Sequence, residues 1–338
     1  MIVEYINWWG NHDIETQDKW FDRFFQRCCK DYENINNSNI VIYSIFGSIY
    51  NLTKVKEDNV NIFFNGESTV FRYKEYSNEE WISQYMDILL TFHKTTKKGI
   101  RYPLWLLYWD FYENGLFHSR QNSSRKDAVI LIANHDPGNI RKQLCNIIKN
   151  TGIDVYCNNK LFEPISHIHK VGPTVKDKID VLTQYKYNIC PENCYSEGYI
   201  TEKIFHSFEA GCIPIYYGNK EVEKGIIKQD KILTIDNIQH MNHYNIDDDF
   251  WDNNALIEIY MIYLTLWSRV YKKLRDKNKN MKIKDNVEII SYKVKDKSNA
   301  IVVLKEHWNK YKKFIEPRPQ FEIEDENKII SMEELIYK

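Results

Sequence analysis

No stretch of this chain approaches the roughly 20 consecutive apolar residues that a membrane-crossing helix requires. The opening, MIVEYINWWG, has neither a basic lead nor a small-residue cleavage pattern, so no signal peptide is expected. A charge excess is missing as well: 46 Lys and Arg stand against 47 Asp and Glu, a formal net charge of −1. Binding nucleic acid by charge calls for a basic surplus, so no nucleic-acid partner is expected. Nor is there a cysteine framework. The seven cysteines are an odd number, Cys28 and Cys29 are adjacent, and the others are scattered. Cys190 and Cys194 lie four apart, yet no second pair and no neighbouring histidine completes a zinc site. Thiols in a reducing compartment, and a cytoplasmic location, are the expectation. No internal repeat is visible.

Aromatic residues, by contrast, are plentiful: they make up 14% of the 338 residues, with 24 Tyr and 9 Trp. They suit a bulky core, because aromatic side chains dominate buried area, and equally a surface that handles carbohydrate. The length supports two domains of ordinary size. Short apolar runs alternate with helical patterns. Ile2 to Trp8 reads as a strand stopped by Gly10, and Trp20, Phe21, Phe24, Phe25 and Cys28 recur at helical spacing. Ile40 to Phe46 and Val60 to Phe64 follow, closed by Gly47 and Gly66, and then Met86 to Phe92 and Leu104 to Trp109.

Glu113 to Lys126 lacks an apolar period and is rich in Asn and Ser, which marks a break. The pattern restarts with a strand, Ala128 to Ala133. Asp136 then caps a helix with Pro137 at its first position and a buried stripe of Ile140, Leu144, Ile147 and Ile148. Such alternation predicts an α/β fold of mostly parallel sheets. Two Rossmann-like halves are expected, residues 1–118 and 119–338. The second includes a strand at Ile232 to Ile235 and long helices at about Ala255 to Arg275 and Ala300 to Phe314, the last stopped by Pro317. The lysine-rich run Lys272 to Lys284 reads as a solvated helix end, or as a weak peripheral contact with anionic lipid.

Most of the chemistry sits between Tyr185 and Gly218. A short strand (Tyr187, Ile189) breaks into a polar loop and restarts as a helix with Ile204 and Phe208 inward. Gly211 ends that helix before a strand at Ile213 to Tyr217. Glu192, Asn193, Tyr199, Glu202 and Lys203 gather near the loop–helix junction. A helix N-terminus with a lysine in its first turn, at the carboxyl end of a buried strand, is where an open α/β sheet holds a phosphorylated ligand. Arg141, early in its own helix and one position off the apolar stripe, can add a planar fork for phosphate. Both cations read equally as surface salt-bridge residues. Glu202 suits a sugar hydroxyl or a developing sugar cation, or simply the helix dipole. Asn193 and Tyr199 offer hydrogen bonds and a stacking face. Glu192 is either a ligand contact or a structural carboxylate. In the first half, Glu67 follows Gly66 at the end of a strand, a place from which a carboxylate can act as a general base. Asp247, Asp248 and Asp249 read as a solvated acidic turn rather than a metal site, and His167 and His169 lack a third ligand.

The stretch YKYNICPENCYSEGYITEKIFHSFEAGCIPIYYG resembles the nucleotide-sugar segment of the α1,3/4-fucosyltransferase family, bacterial type. INWWGNHD, NIFFNGESTVF, RYPLWLLYW and ILIANHDPGNIRKQL are similar to further segments of that family. The resemblance runs to about Asp236 and fades beyond it. Two departures stand out: Ser68 where the family carries Asn after the glutamate, and Pro191 where an aromatic or other apolar residue precedes the Glu-Asn pair.

The resemblance implies a GT-B fold, two Rossmann-like domains facing across a cleft, with an acceptor-side first half and a donor-binding second half. It implies an inverting α1,3-fucosyltransferase that moves L-fucose from GDP-fucose to the 3-OH of GlcNAc or Glc in a lactose- or N-acetyllactosamine-type acceptor. In that scheme Glu67 is the base, and Glu202 is the second catalytic carboxylate. Arg141 and Lys203 hold the pyrophosphate, and Asn134, Glu192, Asn193 and Tyr199 complete donor binding. No cofactor and no metal are called for if the cations stabilise the leaving group. Two alternatives stay open: another nucleotide sugar on the same scaffold, or a non-catalytic glycan- or nucleotide-binding protein.

Overall fold

A computed structural model describes residues 2–9, 14–29, 32–33, 39–70, 72–93, 99–162, 167–219, 223–244, 249–253 and 255–278, with three two-residue strands beyond. The chain divides into two compact units. The first comprises Met1–Tyr102, Leu106–Gly115 and Leu256–Lys338; the second comprises Pro103–Trp105 and Leu116–Ala255.

The first unit is built on five parallel strands in sequential order: β1 (Ile2–Ile6), β2 (Asn39–Tyr43), β3 (Val60–Phe64), β4 (Ile88–Thr91) and β5 (Gly99–Arg101). Strand β3 is buried at every residue, as a parallel strand covered on both faces must be. Helix α1 (Ile14–Cys29) lays Trp20, Phe21, Phe24 and Phe25 inward. Its last inward residue is Cys29, not Cys28, which is half-buried. The ring of Phe21 meets Phe64 of β3 and Tyr102. The expected run Leu104 to Trp109 is a 3-10 turn over Leu104–Tyr108, and the strand lies upstream of it.

Five parallel strands also form the core of the second unit: β6 (Lys126–Leu131), β7 (Val155–Cys157), β8 (His167–Ile168), β9 (Tyr185–Pro191) and β10 (Ile213–Tyr217). Their spatial order is β10-β9-β6-β7-β8. This is the doubly wound arrangement, and its order reverses between β6 and β9. Ligands of open α/β sheets bind outside the carboxyl ends of the strands at such a reversal. Alternation along β6 sorts the packing. Val129 and Leu131 meet Leu144, Cys145 and Ile148 of α2 (Ile140–Lys149), and Ala128 and Ile130 meet Ile179 and Leu182 of α3 (Val175–Leu182). Tyr185 and Tyr187 join different clusters although both belong to β9, because the pairing with β6 shifts register between them.

Helix α4 (Glu202–Glu209) buries Ile204 and Phe208, and Gly211 follows it at φ +70°, as expected of its closing residue. The Asn/Ser-rich segment before β6 is held by two arginines. Arg120 donates to Asp180 (2.5 Å) and Glu209 (3.1 Å). Arg125 donates to the carbonyls of Thr183, Tyr185, Arg120 and Ala210 at 2.9, 3.3, 2.6 and 2.8 Å.

Two expectations need correction. Ile232 to Ile235 makes only an isolated bridge, Leu233 to Ile215, before a 3-10 stretch. Helix α5 (Ala255–Lys277), expected within 119–338, belongs from Leu256 onward to the first unit. There Tyr263 meets Trp20 and Phe24, and Lys277 donates to Asp87 at 2.7 Å. The expected helix at 300–314 lies outside the described residues. No helix among the described residues is long and apolar enough to cross a membrane.

Candidate active site

At the carboxyl end of β6 the chain passes through Asn134, His135 and Asp136 before α2. The helix begins at Ile140 rather than at Pro137. Pro137–Asn139 forms a 3-10 turn, with Gly138 at φ +75° and Asn139 at φ +60°. Asp136 still caps the helix from outside: its carboxylate accepts from the backbone N–H of Arg141 (2.8 Å) and Lys142 (3.0 Å). The inward face of α2 is Arg141, Leu144, Cys145 and Ile148, while Ile147 is 40% exposed. Arg141 is therefore part of the buried stripe, not beside it. Its guanidinium donates to the carbonyl of His135 and to Asn193 Oδ1 at 2.9 Å. Burial pulls the Arg141 pKa down from 12.5, and Asp136, Glu192 and Tyr199 act against that shift.

Strand β9 delivers the second half of the site. Glu192, the next residue, is 1% exposed and accepts from the backbone N–H of Thr201 (2.8 Å), the Thr201 hydroxyl (2.8 Å), Lys203 Nζ (3.1 Å) and Tyr216 OH (3.4 Å). Four donors converge on one carboxyl, so Glu192 clamps the loop after β9 to the head of α4. Lys203 also donates to Thr201 Oγ1 at 2.8 Å. Burial pushes the Glu192 carboxyl up from 4.5, with Lys203 and Thr201 pulling it back. Burial works against the Lys203 ammonium as well, but Glu192 and Glu202 carry its pKa up to about 12.

Thr201 stands at the N-cap of α4, yet its side chain makes no cap bond; the clamp has taken its hydroxyl. Glu202, the first residue of α4, is half-buried. Burial disfavours its charge, but Lys203, Lys178 and His206 outweigh that and hold its pKa at about 2. Asn193 sends its amide toward Tyr199 OH at 3.5 Å. Tyr199 is 1% exposed, so the stacking face expected of it is not available, and its contribution is the hydroxyl beside Asn193.

Arg141, Glu192, Asn193, Tyr199, Glu202 and Lys203 are thus brought together at the reversal point of the second sheet. Asn134 is exposed in the same loop and accepts from Asn158 at 3.2 Å. Glu67 lies in the first unit, half-buried, accepting from the N–H of Ser68 at 2.9 Å. Gly66 is required by a close approach rather than by a turn: a Cβ there would lie 2.6 Å from the Trp9 ring. Sequence reasoning missed Thr201, Lys178 and His206. Only Thr201 left a trace, as a threonine directly before the helix.

The motifs set aside stay apart. Asp249 pairs with Lys228, and Asp247 and Asp248 lie outside the described residues. His169 Nδ1 is 2.6 Å from Tyr185 OH. The seven cysteines are thiols, and burial pushes Cys145, Cys190 and Cys212 up to about 12.

A family model, glycosyltransferase family 10 (fucosyltransferase) C-term, matches residues 121–306, more than half of the chain. The chain belongs to this family. The match carries the family-10 likeness past Asp236, where the sequence resemblance fades. An α-(1,3)-fucosyltransferase of Helicobacter pylori is 46% identical over 54 residues, 16% of this chain and 11% of that protein. A protein described as GDP-fucose protein O-fucosyltransferase 3, from Xenopus tropicalis, is 32% identical over 60 residues, 18% of this chain and 13% of that one. The alignments therefore span only about an eighth of each curated relative's length. A crystal structure of α1,3-fucosyltransferase with GDP-fucose superposes with a TM-score of 0.52 at 15% identity, covering 84% of this chain and 92% of that one. The family-10 chain shares that fold. Two α/β units on parallel sheets are what the GT-B type requires.

Proposed function

We propose that this family-10 chain is an inverting α1,3-fucosyltransferase that uses GDP-fucose and a lactose- or N-acetyllactosamine-type acceptor. The observation that carries the reading is the clamp Glu192–Thr201–Lys203 beside the buried Arg141–Asn193 pair, at the carboxyl ends of β6 and β9. It holds two cations at the site where an open sheet places a diphosphate, next to a helix N-terminus whose side-chain cap is otherwise engaged.

In the proposed reaction the acceptor hydroxyl attacks the anomeric carbon of fucose from the face opposite GDP. Glu67 takes the hydroxyl proton as the new C–O bond forms. The bond to the β-phosphate oxygen breaks, and GDP leaves with its new negative charge against Arg141 and Lys203. Glu202 faces the positive charge that develops on the sugar. The cations take the place a divalent ion fills elsewhere, so the reaction is expected to run without metal.

Incubation with GDP-fucose and a panel of lactose and N-acetyllactosamine acceptors, with the linkage read by NMR, tests this reading. Transfer to a different hydroxyl would move the linkage, and transfer only to a folded protein would move the acceptor class. GDP binding without turnover on any acceptor would sink the enzymatic reading. Activity should survive excess EDTA; a complete loss restored by manganese would overturn the metal-free scheme.

A further inference from the structure

Three aromatic rings crowd the carboxyl ends of β1, β2 and β3, which are neighbours in the first sheet. Trp9 comes just after β1, Phe46 just after β2, and Tyr73 from the segment that follows β3. The Phe46 centroid lies 4.5 Å from that of Trp9 and 5.3 Å from that of Tyr73. All three residues are half-buried, so their rings pack on the core and still keep some surface for solvent.

The backbone that presents these rings is held in place against its own preference. Asn7 and Tyr73 both have φ +56°, a left-handed conformation that asparagine tolerates and a bulky tyrosine resists. Asn7 is locked through its side chain. Its amide donates to the Ser48 carbonyl (2.8 Å) and to Tyr76 OH (3.1 Å), and its Oδ1 accepts from Asn51 (2.8 Å). Tyr76 OH in turn donates to the Gly47 carbonyl at 3.0 Å, and a Cβ on Gly47 would collide with the Asn7 side chain. Strain that its surroundings over-determine in this way gathers at sites that grip a ligand.

The rings also have a fixed relation to Glu67. Gly66 lies so close to Trp9 that a Cβ would stand 2.6 Å from the ring, and Glu67 is the next residue. An acceptor hydroxyl must come within about 3 Å of that carboxylate to give up its proton, so the sugar that carries it has to sit beside Trp9. A hexose with equatorial hydroxyls turns its axial C–H bonds outward as an apolar face and keeps its polar groups at the rim. Partly exposed aromatic rings match that face, and a carboxylate next to them matches the rim.

We propose that Trp9, Phe46 and Tyr73 form a platform on which the glucose or N-acetylglucosamine ring of the acceptor stacks. The proposal rests on the acceptor and general-base reading above. Tyr73→Gly is the informative variant, because glycine removes the ring and also relieves the left-handed backbone. It should raise the acceptor KM about tenfold while kcat and GDP affinity stay within about twofold, and Tyr73→Phe should recover most of the loss. Phe46→Leu keeps an apolar side chain in the cluster and should raise the same KM. Saturation-transfer NMR with lactose or N-acetyllactosamine alone needs neither donor nor turnover. Saturation should fall mainly on the glucose or N-acetylglucosamine ring and fade in Tyr73→Gly. An acceptor KM unchanged in both Tyr73→Gly and Phe46→Leu, saturation confined to galactose or absent, or a wild-type dimer that Tyr73→Gly dissociates would each overturn the platform. Saccharide binding by a wild type that transfers no fucose would count against the proposed function alone, whereas fucose transfer with an unchanged acceptor KM in both variants would count against the platform alone.

Discussion

Lys203 is held by two oxygens from different elements, and Arg141 by two as well, so neither cation would have to be ordered on binding the proposed diphosphate. Arg141→Ala and Lys203→Ala should each remove a charge-assisted contact of about 1.5–3 kcal/mol, which is roughly a 10- to 100-fold loss of GDP affinity in calorimetry. GDP affinity unchanged in both variants would remove the diphosphate assignment. Glu67→Gln should leave GDP binding and melting temperature near normal and lower kcat by about 10²–10⁴-fold; near-normal kcat would exclude the general-base role. The sequence made Lys203 and Glu202 legible because strand, loop and helix follow one another within a single segment. It left Glu192 undecided, because the partners that engage its carboxyl lie 9 to 24 residues away. Lys178 and His206 are 28 residues apart on different helices, and no local pattern relates them.

Elements were easier to read than faces. Strands β3 and β10 and helices α4 and α5 stand where periodicity places them. The face of α2 was misjudged because a tally of apolar residues passes over arginine. The stripe runs through Arg141, and Ile147 points outward. Its start was misjudged because Pro137 fits a helix opening as well as it fits a 3-10 turn. At the other end of the site, Gly211 follows α4 at φ +70°, and a Cβ there would lie 2.5 Å from Arg125 Nη2 and 2.8 Å from the Arg120 carbonyl. Gly211→Ala should therefore cost both the left-handed strain and that clash, about 2–3 kcal/mol in urea unfolding. A loss below about 0.5 kcal/mol would mean that the helix end can relax away from Arg125.

For the molecule as a whole, acidification is the informative perturbation. His206 titrates at about 3 in the folded chain against 6.5 ordinarily, and Glu202 at about 2 against 4.5. In both cases the unfolded chain binds the extra proton between the two values, so stability rises with pH across that interval and is lost on acidification. The decline should begin near pH 6.5 through His206, at about 1.4 kcal/mol per pH unit for one proton, and steepen below 4.5 as Glu202 joins. Glu192, raised by burial, acts in the opposite sense just above 4.5 and offsets part of it. Melting temperatures of the wild type and His206→Gln between pH 7 and 4 check this. The variant should lose the early part of the slope, and identical profiles would show that the ring binds its proton equally in the folded and unfolded chain. The allocation of α5 to the first unit was not legible, because Tyr263 and Lys277 find partners that lie far earlier in the sequence.

The grip of Arg125 on four carbonyls, with Arg120 beside it, bears on how the protein can be dissected. A fragment starting at Lys126 would keep every strand of the second sheet yet strip the acceptors at the ends of α3 and α4 of their donors. One running from Pro103 to Ala255 retains both arginines, and also Trp105, which stacks on Phe205 and donates to Glu223 at 2.9 Å. Expressed alone, the longer piece should be the one that folds and binds GDP. The Asn/Ser-rich segment that reads as a break is therefore, from Leu116 onward, the hem of the second unit.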